Sequence, residues 1–588
     1  MNDRSRSIPK PAGRLWQGAA ILGLAAVISK VLGTIQKIPL QNLAGDAVFG
    51  IYNAVYPLYT FLLVLATAGI PIAVSKFVSE AVAEGRPLEA RRLLKLTNAL
   101  MAGTGLLGFG LLYGGAETIA GWIGGADTAP AIRSISFALL VMPVTAGLRG
   151  YFQGLHDMVP TAVSQVAEQV VRVGVMLTLL LVLVGRGASD ATIAAGATFG
   201  STAGAGAALL AALGFWRAHR ARHVAAGRAL AAEAPGDGAR KREPEPTAAL
   251  LRRFVAYALP VCLGAVVLPL LTLVDTFTMP RLLQHGGGLD EAAAMAAFGL
   301  YNHGLPLVQL VSMIVTSMSV ALIPALTAAR QCGDNTAIRR MAGVFLRFGW
   351  LVGLAASVGL AVLARPLDLM LYGASEGAGV MAILGATAAF AVVQIVAGTL
   401  LQGLGAERAP AYYLLAAAGV KIGLNLLLMP RWGIHGAAVA AVAAYATAAA
   451  LSCLRLRRLL GPAALERPAR PPAAAAARAA EPAGVSAAGA VARPVLAAAI
   501  MAAGLALWLA AAALALHALP VAPPERAAQT VVALSAVAGG GLLYAAALFR
   551  VRAISAAELA ALPEVGPKLA RLAARLRLIP IEERKRSR

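Results

Sequence analysis

The sequence predicts an all-α integral membrane protein of fourteen transmembrane helices, arranged as two six-helix lobes in parallel repeat plus two C-terminal helices. Three observations predict it. The 588 residues are 59% hydrophobic and only 13% charged, with a mean hydropathy of +0.73, far from the roughly one-quarter charged residues of a soluble domain. Apolar runs near or above the roughly 20 residues that cross a bilayer recur along the whole chain. Finally, Ala47-Val-Phe-Gly-Ile-Tyr-Asn-Ala-Val-Tyr-Pro-Leu58 returns 249 residues later as Ala296-Ala-Phe-Gly-Leu-Tyr-Asn-His-Gly-Leu-Pro-Leu307. The same offset pairs Gln153-Gly154-Leu155 with Gln402-Gly403-Leu404, and Val171-Arg172-Val173-Gly174-Val175 with Val420-Lys421-Ile422-Gly423-Leu424. A duplication of this length in a hydrophobic chain is the trace of a transporter built from two halves.

The apolar runs place the spans at 15–37, 49–75, 96–114, 130–148, 160–184, 191–215, 254–280, 297–327, 342–364, 378–401, 410–429, 434–454, 492–517 and 528–549. An even number puts both termini on one side. Of the 51 Lys and Arg, 41 lie before the first span, after even-numbered spans (Arg149 among them) or in the tail. The opposite side holds only Lys37, Arg133, Arg186, Arg281, Arg365, Arg431 and Arg526. By the positive-inside rule both termini are cytoplasmic, and the net charge of +23 is a topology signal rather than a nucleic-acid footprint. Arg4, Arg6, Lys10 and Arg14 before an apolar run resemble a signal peptide, but cleavage would leave the first repeat one helix short, so the segment is read as a retained span.

The expected organisation is a first lobe over 1–216, a flexible basic linker over 217–253, a second lobe over 254–460, a Pro/Ala/Arg-rich linker over 461–491, two further spans over 492–549 and a basic tail over 550–588. Each half holds an even number of spans, so the copies enter the membrane in the same direction. In the tail, Leu569, Leu572 and Leu576 beside Lys568, Arg571 and Arg575 suit an interfacial helix on anionic lipid.

Several classes fall away on composition. Cys262, Cys332 and Cys453 have no paired spacing and no histidines at metal-ligand distance, so neither a disulfide framework nor a zinc site is expected. No Walker loop and no nucleophile–base pairing occur. An enzyme, an ATP-driven pump, a cofactor and a nucleic-acid partner are therefore not expected.

An ionisable group in hydrocarbon costs several kcal/mol and needs a partner, a water-filled cavity or a function. In the first span Lys30, Thr34, Lys37 and Gln41 follow one helical face, making it cationic from mid-membrane to the outer surface; Lys37 also suits snorkelling to the interface. The second span carries Asn53, Tyr56, Thr60 and Thr67 at helical spacing and leads into Gly69-Ile-Pro71 and Lys76. Pro57, Pro71, Pro306 and Pro324 would break helices locally, as hinges or as packed kinks. In the fifth span Gln165, Glu168, Gln169 and Arg172 form a polar face with Glu168 four residues before Arg172, a favourable ion-pair register. The repeat keeps a base at Lys421 but replaces the acid by Ala417. Asp275, between Pro269 and Pro280, could bind a coupling cation, accept a proton or cap a broken helix. A cavity with Lys30, Lys37 and Arg172 in a poorly screening medium favours an anion such as a diphosphate.

The run Arg14-Leu-Trp-Gln-Gly-Ala-Ala-Ile-Leu-Gly-Leu-Ala-Ala-Val-Ile-Ser-Lys-Val-Leu-Gly33, the Phe-Gly-Ile-Tyr-Asn motif, Gly69-Ile-Pro-Ile-Ala-Val-Ser-Lys76 and Gly150-Tyr-Phe-Gln-Gly-Leu-His-Asp-Met-Val-Pro-Thr161 together resemble the polysaccharide-biosynthesis exporters. Within them the chain looks most like the stage V sporulation protein B group, relatives of the MurJ lipid II flippases. The resemblance implies the multidrug/oligosaccharidyl-lipid/polysaccharide exporter fold, in which two six-helix lobes flank a central cavity and two extra helices border a groove for a lipid tail. It implies as cargo an undecaprenyl-diphosphate-linked peptidoglycan precursor, for vegetative wall or spore cortex, turned between leaflets by alternating access. Lys30 and Lys37 take the places of the family's cavity bases, with Lys76 a weaker match. Some relatives bind sodium through a seventh-span acid and eleventh-span polar groups; Asp275 suits the former, but Lys421 and Asn425 suggest a tethered ammonium in the metal's place. The competing readings are a cation-coupled multidrug antiporter, which would want acids in the first-lobe cavity, and a membrane scaffold recruiting cell-wall synthases through linker and tail. An intramembrane glycosyltransferase ranks behind both.

Overall fold

The structure, a computed structural model, describes residues 11–67, 69–233, 246–461, 487–518 and 524–554. The described residues form helices and no strand, and the chain packs as two compact units, Met1–Gly299 and Leu300–Arg588.

The first unit opens with α1 (Pro11–Ile35) and α2 (Lys37–Thr67). The sequence places the end of the first span at Lys37; instead Gln36 interrupts the helix and the chain stays helical up to Gly45, where φ 80° and ψ 178° break it. Glycine takes a positive φ without a Cβ clash. The chain reverses there. Gln36 and Lys37 hydrogen-bond to Tyr52 and Asn53, each 16 residues on, a separation of about 24 Å along an unbroken helix. The Lys30-to-Gln41 stripe is therefore not one continuous face: Lys37 and Gln41 turn onto the second span.

Next come α3 (Ile70–Ala83), α4 (Pro87–Gly114), α5 (Ala116–Ile123), α6 (Thr128–Ser136), α7 (Ala138–Gly154), α8 (Val159–Gly185), α9 (Asp190–Glu233), α10 (Thr247–His285) and α11 (Glu291–Tyr301), which carries the unit boundary. A helix break precedes Pro71, which lies in the first turn of α3, whereas Pro57 sits inside continuous helix. The linker expected to be flexible from Arg217 is helical as far as Glu233, and the next helix begins at Thr247 rather than at 254.

Lipid tails are as apolar as leucine, so membrane helices associate through close backbone approach at small residues. Gly204 of α9 faces α8 so closely that a Cβ there would lie 2.6 Å from the Glu168 carbonyl oxygen and 3.0 Å from Arg172 Cβ. Gly150 and Gly154 bring α7 equally near α3, at Pro71 and Ser75. The repeated motif's own glycines make a reciprocal contact: a Cβ on Gly50 would meet the Met295 carbonyl oxygen at 2.0 Å, and one on Gly299 the Asp46 carbonyl oxygen at 2.1 Å.

The second unit comprises α12 (Leu305–Gln331), α13 (Asn335–Val362), α14 (Ala364–Tyr372), α15 (Ala378–Gly385), α16 (Thr387–Gly403), α17 (Ala409–Leu460), α18 (Ala487–His517) and α19 (Glu525–Arg550). The duplication extends to helix ends, since α7 and α16 begin and end 249 residues apart. Gly433, with φ 53°, breaks α17 between the expected eleventh and twelfth spans. Pro306 stands in the first turn of α12, and Pro324 lies within it. The copies thus break at non-equivalent prolines, Pro71 in the first and Pro306 in the second. Locally, Ala54-Val55 continues a helix in the first copy, whereas His303-Gly304 stands at the break in the second, and glycine is a poor helix former. α19 is tied down by the Tyr544 hydroxyl donating to the Leu351 carbonyl at 2.9 Å and by Arg526 donating to the Met370 and Leu371 carbonyls.

Eleven stretches among the described residues are long and apolar enough to cross a membrane. Two of them, Ala20–Ala83 and Ala409–Leu460, are too long for one crossing and contain the breaks at Gly45 and Gly433. Arg4, Arg6 and Lys10, most of the 461–491 linker and the interfacial helix expected in the tail lie outside the described residues.

Candidate substrate-binding site

The candidate site is built on α2, α7 and α8 of the first unit. Proximally to the Gly45 reversal, Lys37 Nζ donates to Asn53 Oδ1 at 3.0 Å, while Asn53 Nδ2 donates to the Phe49 carbonyl at 2.8 Å. Asn53 is buried, so it holds the ammonium in a fixed place. One helical step along, Gln36 Nε2 donates to the Tyr52 hydroxyl, and Tyr52 stacks on Tyr56 with ring centroids 5.7 Å apart. Tyr56 and Tyr59 continue the ladder at 6.0 Å.

The ladder meets a charge cluster at its middle ring, Tyr56. Arg172 Nη1 donates to the Tyr56 hydroxyl at 3.2 Å and Nη2 to Glu168 Oε1 at 3.2 Å. The other carboxylate oxygen, Glu168 Oε2, accepts from Arg149 Nη2 at 2.9 Å, and Arg149 also donates to Ser164 Oγ. The intrahelical Glu168–Arg172 pair read from the sequence is present, but it is only half of the cluster. Arg149, counted as an inner-side loop charge, instead reaches from α7 into the buried pair; its side chain is 14% exposed. The missed signal lies in the repeat, because the positions equivalent to Arg149 and Glu168 are Gly398 and Ala417, lost together.

Around this core the other predicted residues separate. Ser29 Oγ donates to the Gln165 carbonyl at 3.4 Å, seating α1 on α8, and the adjacent Lys30 is exposed. Thr34, Thr60 and Thr67 bond back to carbonyls of their own helices. Lys76 is exposed on α3 with its ammonium 4.3 Å from the Tyr257 ring centroid, a cation–π contact rather than a cluster bond. Asp275 is buried in α10, which stays helical around it, so it caps no broken helix. Lys421 and Asn425 are buried one turn apart on α17 in the second unit. Asp275 falls in the first unit.

A second buried polar group has no antecedent in the sequence reading. His303 Nδ1 lies 2.8 Å from Asp368 Oδ1, both fully buried, and the imidazole stacks on Tyr372 at 4.0 Å. The Tyr372 hydroxyl donates to the His303 carbonyl, which ties the break before α12 to α14. Among the described residues no cluster of three or more metal-ligating side chains occurs.

Chemically, ammonium and guanidinium groups interleaved with tyrosine hydroxyls suit binding of an anion. The pattern of the family described as Polysaccharide biosynthesis protein matches residues 15–329. The chain is 33% identical over 447 residues to the "Uncharacterized membrane protein YabM" of Bacillus subtilis (strain 168), covering 76% of this chain and 80% of that one. It is 27% identical to "Lipid II flippase MurJ" of the same strain, over 76% of this chain and 84% of that one. A solved structure of lipid II flippase MurJ in an inward closed conformation shares the fold, with a TM-score of 0.60 at 12% identity over 90% of this chain and 99% of that one. The chain, with its many membrane-length apolar helices, is a member of the polysaccharide biosynthesis protein family.

Proposed function

We propose that the protein is a flippase that moves an undecaprenyl-diphosphate-linked peptidoglycan precursor, lipid II or a related lipid-linked oligosaccharide, from the inner to the outer leaflet of the bacterial cytoplasmic membrane. The observation that carries this reading is the line of groups along α2, from Lys37–Asn53 through Tyr52 and Tyr56 to Arg172, Glu168 and Arg149. Its net charge is positive, and in a poorly screening medium such an array selects anions. Guanidinium groups match phosphate oxygens with directional bonds. Similarity to a lipid II flippase supports a lipid-linked cargo.

In this reading the head group enters from the cytoplasmic side, the basic side chains of the first lobe, Lys30 and Lys37 among them, attract and hold the diphosphate, the helices rock about their broken segments, and the tail stays in lipid. No bond in the cargo is made or broken. Asp275 is the residue assigned to a coupling cation, with Lys421 supplying a fixed positive charge and Asn425 a polar amide in the second copy. Purified protein in proteoliposomes containing lipid II tests the reading through externally accessible head group. Wild type should translocate the lipid, and the Lys30→Ala, Lys37→Ala double variant should not. Undiminished translocation by the double variant overturns the site assignment, and no translocation by wild type overturns the function.

A further inference from the structure

We infer that Arg149, Glu168 and Arg172 form a diphosphate clamp in which the Glu168 carboxylate holds the place that the cargo's phosphate oxygens take. The inference rests on the flippase reading and adds to it a residue set and an exchange step. One carboxylate bridges two guanidiniums, with a different oxygen on each, at 2.9 and 3.2 Å. Among the described residues no other carboxylate pairs with either arginine, so two positive charges share one negative charge at side chains only 14%, 6% and 8% exposed for Arg149, Arg172 and Glu168. Leaving a charge uncompensated at such burial is costly unless an anion completes the site. A second sign is independent of charge counting: Arg172 Nε is buried with no acceptor, one donor still unused on a guanidinium that is already bound twice.

The repeat argues against a packing role. The equivalent positions in the second copy are Gly398, Ala417 and Lys421, so that copy folds with neither the acid nor the α7 arginine. Rigidity comes from behind, where Gly200 and Gly204 let α9 press against the backbone of Arg172 and Glu168. A diphosphate brings two phosphoryl groups, one for each guanidinium, with Arg172 Nε as a further donor. As it binds, Glu168 is displaced; when Glu168 returns to the arginines, it competes the cargo off. An internal anion of this kind keeps the site from holding its cargo too tightly to release.

Binding of inorganic pyrophosphate to the full-length protein in nanodiscs, read by calorimetry alongside proteoliposome translocation, tests this. Glu168→Gln should bind pyrophosphate about tenfold or more tighter than wild type and lower both KM and turnover for lipid II. Arg149→Gln leaves one acid paired with one base, should fold, and should bind pyrophosphate about tenfold more weakly. Folded Glu168→Gln protein with wild-type pyrophosphate affinity overturns the clamp. If Glu168→Gln does not fold, unchanged pyrophosphate affinity in Arg149→Gln overturns it equally. Pyrophosphate binding that depends on Arg149 and Arg172 in a protein that moves no lipid II leaves the clamp standing and refutes the flippase. Active translocation with an unchanged KM in Arg149→Gln does the reverse.

Discussion

Gly204→Ala isolates the contribution of helix packing behind the charge cluster. The added Cβ would stand 2.6 Å from the Glu168 carbonyl oxygen and 3.0 Å from Arg172 Cβ. Restoring ordinary contact needs α9 to retreat from α8 by about 0.8 Å, and overpacking of this size costs typically about 1–3 kcal/mol. Gly206 provides the matched control two residues on, since nothing lies within 4 Å of a Cβ there. In Gly206→Ala the Cβ meets no neighbour, and alanine's helix preference, up to about 1 kcal/mol in water, favours the folded state. The helix preference acts at both positions and cancels, so the two variants should differ by the overpacking cost of about 1–3 kcal/mol, with Gly204→Ala the less stable. Thermal unfolding in detergent followed by intrinsic fluorescence compares them directly, and lipid II translocation reports whether the retreat disturbs Glu168 and Arg172. Equal stability of the two variants, with wild-type translocation in both, would refute the claim that this contact positions the cluster.

Removing His303 should destabilise the protein severely, because Asp368 is fully buried and loses its imidazole partner; His303→Ala should cost about 3–5 kcal/mol and Asp368→Asn less, by thermal unfolding. A loss below about 1 kcal/mol in His303→Ala would mean that the pair does not anchor the break before α12. Gly50→Ala and Gly299→Ala should each destabilise by about 1–3 kcal/mol, since each Cβ would meet a backbone oxygen at 2.0 or 2.1 Å. Gly103→Ala, with open space around it inside α4, should behave like Gly206→Ala, between neutral and about 1 kcal/mol stabilising in the same melting experiment.

How much of the site could be read beforehand depends on how far apart its members lie along the chain. Glu168 and Arg172 are one turn apart on one helix, so their pairing followed from helical spacing alone. The duplication was legible for a similar reason, and the helix ends of α7 and α16 repeat it to the residue. Arg149 and Glu168 are 19 residues apart on different helices, and their meeting depends on how α7 and α8 lie together. Lys37 reaches Asn53 only because the chain reverses at Gly45, a break that apolar-run lengths blur by several residues. His303 and Asp368 are 65 residues apart, and neither carries a periodic signal.

Membrane character, the two-copy architecture and the charge bias of the connecting segments are properties of composition and periodicity. The first follows from the expense of placing polar groups in hydrocarbon, the second from the motif repeated at an offset of 249 residues and the third from the retention of Lys and Arg on one side of the membrane, and each is written in the sequence without reference to how helices pack. Which bases share a carboxylate, which ammonium is held by an amide and where a proline interrupts a helix depend instead on close approach at a few small residues, such as Gly204 on α8 or Gly50 at Met295. Within a bilayer the helices gain little from hydrophobic burial against one another, so these short contacts, distributed over distant parts of the chain, set the geometry of the site.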